Sequence, residues 1–318
     1  MAEYMRTGTL TSPKEIDPVQ MARGMGRWFP ARPRAEPPAP PAAYPGSVAL
    51  VAVDARISER TPRDLRGVAL LADRLAPALG PPQRVSGRRE PFGETPWQDD
   101  LAASRRVLGQ VRDAVGAVLD AGDRPVTLAS DCALALGTFP ALAPGRPDVR
   151  VLWLDAHSDY DTPATSTYSF LGCMSLAGAT GAWDAGLGDA LVPEQVVLVG
   201  TRARPGDFDA AAQAAAAASP MTLVPVSDGT AAAVLDALGD APVYVHLDPD
   251  VLDPSVNPVP YARPGGHSLD ALLALLTAVA ARGPVLGLEL TAFHSDDDPG
   301  RRRALAGDLV RGVTAALA

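Results

Sequence analysis

Leu154-Asp155-Ala156-His157-Ser158-Asp159-Tyr160-Asp161-Thr162-Pro163 is the stretch whose reading decides this chain. Carboxylates and an imidazole occupy every second position, directly after the apolar run Val149-Arg150-Val151-Leu152-Trp153. A second stretch of the same design follows downstream: Tyr244-Val245-His246-Leu247-Asp248-Pro249-Asp250-Val251-Leu252-Asp253-Pro254. Each reads as a buried strand ending in metal-type ligands, because a period of two turns alternate side chains the same way before the chain bends. Hard carboxylate oxygens with an imidazole suit Mn²⁺, Mg²⁺ or Fe²⁺ better than a closed structural zinc site. Asp155, Asp159, Asp248, Asp250 and His157 are enough to hold two divalent cations, which carboxylates can bridge at roughly 3.5–4 Å. An Asp at a strand end also serves as a helix cap, and either stretch alone fits that use equally well. Two such stretches in one chain favour the metal.

Working outward, strand-like apolar runs recur at 48–53, 126–128, 149–154, 196–199, 222–226, 243–247 and 285–290. Helical spacing of apolar residues covers Asp64 to Leu79 and about Asp99 to Ala121, with Gly122 as a stop, and Ala210–Ala218 is an ordinary helix former. Alternating β and α units predict a three-layer α/β/α domain with a mostly parallel central sheet. Ligand sites in such sheets lie outside the carboxyl ends of the strands, where both acidic stretches fall. The Pro-rich residues 1–46 read as an N-terminal extension, leaving 47–318 as the domain. No internal repeat is present.

Composition narrows the function classes. The chain has 318 residues, 47% of them hydrophobic, which suffices for a full core. A formal net charge of −9 with no basic block argues against nucleic-acid binding and leaves a small molecule as the partner. Lys14 is the only lysine. The apolar runs are too short to span a membrane and the N-terminus lacks signal-peptide texture, so the expected location is cytoplasmic. There Cys132 and Cys173 are expected as thiols rather than a disulfide.

These motifs resemble the ureohydrolases, the family of arginase and agmatinase. Their Asp-Ala-His-x-Asp-x-Asn-Thr-Pro-x-Thr-Ser pattern is similar to Asp155–Ser166 without a gap, with Asp161 in the Asn position. Their Asp-x-Asp-x-x-Asp-Pro, followed by Pro-Gly-Gly, is similar to Asp248–Pro254 with Pro264-Gly265-Gly266. The strand ending Ser130-Asp131-Cys132 resembles their Gly-Gly-Asp-His segment. The resemblance implies a dinuclear manganese hydrolase of a guanidino compound, often a homo-oligomer. It implies Cys132, Asp155, Asp159 and Asp248 around one ion and His157, Asp155, Asp248 and Asp250 around the other. Asp159 would relay the proton to the leaving amine. Asp161, Ser169, Cys173 and His294 are the candidate substrate contacts.

The departures carry as much information. Cys132 stands where the family has a metal-binding His, and is either a softer ligand that suits Mn²⁺ poorly or a small core filler. Gly172 replaces a His used in proton transfer and substrate contact. Ala292 replaces the Glu that grips the guanidinium, a contact typically worth a few kcal/mol. The loop Gly200-Thr201-Arg202-Ala203-Arg204-Pro205 lacks the family's Asp. Plain L-arginine is therefore not the expected best substrate. The Cys-for-His swap is similar to an atypical branch, the Nω-hydroxy-L-arginine hydrolases, and implies specialised metabolism such as antibiotic biosynthesis. His246 is expected as a core or supporting residue, and the acidic run Asp296–Asp298 after His294 as a solvated loop. A degenerate pseudoenzyme or partner protein is the alternative, against which stands the retention of four carboxylates that repel one another without a cation. Deacetylases of similar fold need one zinc and a His pair, which is not found.

Overall fold

The computed structural model describes residues 46–295 and 299–317, so the extension expected over 1–46 (Gly46 apart) and the run Asp296–Asp298 lie outside the described residues. Eight strands form one parallel sheet: β1 (Val48–Asp54), β2 (Gln83–Ser86), β3 (Arg124–Leu128), β4 (Arg150–Leu154), β5 (Val196–Val199), β6 (Thr222–Val224), β7 (Val243–Leu247) and β8 (Val285–Leu290). Their order across the sheet is β2-β1-β3-β8-β7-β4-β5-β6. The central strands are buried on both faces, which is why they read as continuous apolar runs rather than as alternation.

Helices cover both faces. α1 (Arg63–Leu79), α6 (Thr230–Leu238), α7 (Leu269–Arg282) and α8 (Pro299–Ala316) pack on one side, against residues such as Leu50, Leu152, Leu154, Val245 and Leu290. α2 (Trp97–Asp120), α3 (Ala135–Leu142), the short α4 (Ser175–Ala179) and α5 (Ala210–Ala218) belong to the other, with Val51, Trp153, Leu198 and Tyr244. The period of two sends odd and even residues of one strand into different cores. The three-layer expectation holds. β2 escaped the sequence reading because it is a four-residue edge strand with a single buried side chain, Val85. Among the described residues no helix is long and apolar enough to cross a membrane.

The segment after β1 is fixed by an ion pair with no solvent exposure. Arg56 Nη1 donates to Asp100 Oδ1 of α2 at 2.7 Å, while its Nε donates to the Glu59 carbonyl at 2.9 Å and its Nη2 to Thr95 Oγ1 at 3.2 Å. Arg88 reaches the same Asp100 oxygen at 2.8 Å. This clamp sets where residues 58–60 emerge at the carboxyl edge of the sheet. Asp100→Ala would leave a buried guanidinium without its counter-charge, and urea unfolding is expected to show a loss of about 3–5 kcal/mol. The double variant Arg56→Met/Asp100→Leu should recover most of that. A loss below about 1 kcal/mol would show the clamp to be dispensable.

Candidate metal centre

The site lies beyond the carboxyl ends of β3, β4, β7 and β8. The ladder continues one residue past each strand: Asp155 N donates to Val199 O, Asp248 N to Leu154 O, and Thr291 N to Leu247 O. Asp155, Asp248 and Thr291 thus stand in one row across the sheet, and Cys132 enters from the turn after β3. Gly200 closes the row at φ +100°, where a Cβ would fall 2.9 Å from Asp155 O and 2.6 Å from Val251 Cγ2.

Local turns, rather than continued strand alternation, gather the acids. His157 N donates to Asp155 Oδ1 at 2.7 Å and Asp250 N to Asp248 Oδ1 at 2.8 Å, so each first carboxylate caps the turn that follows it. Both helix-cap and ligand readings therefore describe the same side chains. Asp159 reaches the cluster through a left-handed backbone, φ +46°, which corrects the expectation that an extended chain aligns Asp155, His157 and Asp159. Ser169 and Ala292 also adopt positive φ near the site, at +50° and +49°. Non-glycine residues in that region concentrate at functional sites.

Among the described residues, two sets of ligand atoms lie within 4.8 Å of one another: Cys132, Asp155 and His246, and Asp155, His157 and Asp250. Asp155 belongs to both. His157 Nδ1 is 2.9 Å from Asp250 Oδ2 and 3.5 Å from Asp155 Oδ1, while its buried Nε2 has no hydrogen-bond partner among the described residues. Cys132 Sγ sits 3.1 Å from Asp248 Oδ2 and 3.2 Å from Thr291 Oγ1. Asp159 Oδ2 accepts from Ser175 Oγ at 3.0 Å, and Trp153 Nε1 donates to Asp155 Oδ2 at 3.2 Å.

His246 does more than fill the core. Its Nδ1 lies 2.5 Å from Glu289 Oε1, which leaves Nε2 turned toward Thr291 Oγ1 at 3.5 Å and so toward Cys132. The ring stacks on Trp153 at 3.5 Å and 6°, and Tyr244 OH donates to the second Glu289 oxygen at 3.3 Å. An imidazole fixed by a carboxylate on one nitrogen is the usual support for ligation through the other. Glu289 was not legible in sequence, though Trp153, His246 and Glu289 pair directly in the registers of β4, β7 and β8.

Burial and mutual repulsion dominate the electrostatics. Burial, then Asp250, raises the Asp155 carboxyl to about 6. Burial and neighbouring carboxylates push Asp159 and Asp248 well above the usual range, and burial with Asp248 beside it raises the Cys132 thiol. For His157 burial opposes the charge, but Asp250 and Asp155 outweigh it and the imidazole is raised. Against burial, His157 holds Asp250 low. Carboxylates that destabilise one another, in reach of an imidazole and a thiol, are what a divalent cation would relieve.

The row opens on a cavity of about 230 Å³ lined by the cluster and by Glu59, Arg60, Asp64, Asp131, Cys173 and His294, with Tyr168, Phe170, Phe208 and Tyr261 among the remaining walls. Burial first, then Asp131, raises the Glu59 carboxyl, and burial raises Asp131 to about 6. His294 Nε2 pairs with Asp64 Oδ1 at 2.7 Å. Cys173 and His294 thus reach the cavity. Asp161 and Ser169 are not among the lining residues: Asp161 Oδ1 accepts from Thr165 Oγ1 at 3.2 Å, and Ser169 Oγ accepts from Trp97 N at 3.4 Å. Glu59 and Asp64 went unnoticed because nothing in their local spacing distinguishes them from surface acids.

Raised carboxyl pKa values fix the pH behaviour of protein stripped of cations. In the window from about 4 to 7, the folded state holds protons that the unfolded chain has released, so stability falls as pH rises. The raised His157 adds to the loss on the alkaline side, and the lowered Asp250 acts only below this window. Thermal melts in chelator are expected to shift downward from pH 5 to pH 7.5, and a divalent cation should reverse the shift at pH 7.5. A melting temperature that climbs with pH and ignores the cation would contradict this.

The sequence profile of the Arginase family matches residues 82–315. An N(omega)-hydroxy-L-arginine amidinohydrolase of Streptomyces lavendulae is 34% identical over 252 residues, spanning 79% of this chain and 90% of the relative. An arginase of Brucella melitensis is 31% identical over 207 residues, 59% of this chain and 67% of the relative. The crystal structure of arginase from Bacillus subtilis superposes with a TM-score of 0.72 at 20% identity, covering 85% of this chain and 98% of that one, a likeness of fold.

Proposed function

The chain belongs to the arginase (ureohydrolase) family, and from that premise we propose that it is a manganese-dependent hydrolase cleaving a C–N bond of a guanidino or N-modified guanidino compound. The observation that carries this reading is the buried cluster of mutually repelling carboxylates, with an imidazole and a thiol, opening on a cavity. The distances favour Cys132, Asp155 and His246 around one ion and Asp155, His157 and Asp250 around the other. His246 thus joins the sets implied by the resemblance, and Asp248 and Asp159 would complete them. Bound divalent cations supply water activated near neutral pH and charge stabilisation at the attacked carbon.

The protein's own groups do the rest. The acidic inner walls favour a cationic guanidinium. Asp159 lines the cavity with one oxygen held by Ser175, and its raised pKa suits it to hold a proton and pass it to the leaving amine. Ala292, in the place of the family's gripping Glu, and Gly172 remove two contacts to an unmodified guanidinium. Both support an N-modified substrate and a role in specialised metabolism, antibiotic biosynthesis included.

Reduced, Mn²⁺-loaded protein is expected to release urea or an N-substituted urea from at least one of arginine, Nω-hydroxyarginine, agmatine and simple guanidino acids. Asp159→Asn should lower kcat by about 10²–10⁴. No turnover on the whole panel by metal-loaded protein would sink the hydrolase reading and leave the degenerate homologue.

A further inference from the structure

The cavity is strongly negative on its inner walls, yet one guanidinium stands among its lining residues. Arg60 lies beside the partly exposed Tyr168 and Tyr261, whose hydroxyls meet at 3.3 Å, and this places it at the mouth. Its Cζ sits 4.5 Å over the Tyr168 ring and 5.2 Å over the Phe170 ring, which fixes the plane of the fork. Nη2 donates to the Tyr168 carbonyl at 3.2 Å, and Nε is buried without a hydrogen-bond partner among the described residues. Among the described residues the nearest counter-charge is Glu94, 3.8 Å from Nη1 on a side chain 87% exposed, a separation and setting in which solvent screens most of the attraction. A held, planar guanidinium with little neutralisation is suited to a carboxylate.

An apolar path joins the two charged regions. Phe208 lies 5.8 Å from His157, 5.1 Å from Tyr168 and 6.4 Å from Tyr261 between ring centroids, so aromatic surface runs from the ligand cluster to the mouth. Neither Asp207 nor Asp209, the acids flanking Phe208 in sequence, is among the residues lining the cavity. Arg263 holds Asp209 at 2.5 Å and also Asp207.

Resting on the hydrolase reading above, we propose that Arg60 anchors the carboxylate of the substrate, which is an ω-guanidino carboxylic acid with an extended aliphatic stem. The guanidinium faces the acidic cluster, the stem lies along Phe208 and Tyr168, and the carboxylate meets the Arg60 fork. An ω-guanidino amine places an ammonium beside that fork and is disfavoured.

The test compares 4-guanidinobutanoate with agmatine on Mn²⁺-loaded wild type and on Arg60→Met, Arg60→Lys and Arg60→Glu. Wild type is expected to prefer the acid. In Arg60→Met the acid-to-amine ratio of kcat/KM should fall by about 10- to 100-fold, mainly through KM of the acid, the size of one charge-assisted contact. Arg60→Lys should retain part of the preference, and Arg60→Glu should invert it. A wild type that prefers the amine, or a ratio that moves less than about threefold in Arg60→Met and Arg60→Glu alike, overturns the proposal. That second result is also what a purely structural Arg60 would give, since lost packing lowers both substrates together. Dissociation constants from titration calorimetry give the same ratio without turnover. Binding that follows Arg60 in a chain inactive on the whole guanidino panel would defeat the hydrolase reading and keep Arg60 as the carboxylate anchor.

Discussion

Repulsion among the buried carboxylates of Asp155, Asp159, Asp248 and Asp250 is the constraint that the carboxyl edge of this sheet is built around. Asp155, Asp159 and Asp248 would each be more stable protonated or in water, as their raised values express, while the His157 imidazole holds Asp250 low. The fold offsets part of it with backbone N–H groups of His157, Ala156 and Asp250, the Trp153 indole, the Ser175 hydroxyl and the His157 imidazole. Partial neutralisation of this kind holds the geometry while leaving a surplus of negative charge. A divalent cation is the natural remainder.

The layer beneath explains how the surplus is tolerated. Trp153, His246 and Glu289 face one another in register on three adjacent strands, packed by Phe139 at 5.9 Å from Trp153 and bonded by Tyr244. None of these side chains has measurable solvent exposure. Such a polar row, with its groups paired, resists rearrangement and fixes the first ligand positions above it. On that layer His246 brings an imidazole to the same group of candidate ligand atoms as Cys132 and Asp155.

Much of this was legible in the sequence, and the reasons are specific. Runs such as Val243–Leu247 and Val285–Leu290 betray buried parallel strands, and the spacing in Asp64–Leu79 betrays a helix, because burial writes a period into the residues. The acidic stretches announce the site because four carboxylates at strand ends have few structural uses. What stayed hidden depends on contacts between distant segments. Glu289 gains its meaning only opposite His246, Arg60 only between Tyr168 and Phe170, and Glu59 only when the Arg56–Asp100 clamp turns it inward. Asp161 sits inside the conspicuous motif and Ser169 just after it, yet they bond Thr165 and Trp97, since a loop's side-chain directions do not follow from its spacing.

The central claim is that the cluster of Asp155, His157, Asp248 and Asp250 exists to hold divalent cations. Elemental analysis of reduced protein, loaded with Mn²⁺ and freed of unbound metal by gel filtration, tests it most directly. The account predicts about two ions per chain, falling steeply when Asp155 is changed to Asn, because that residue belongs to both groups of ligand atoms. Fewer than about one ion in ten chains, with the Asn variant indistinguishable from wild type, would contradict it.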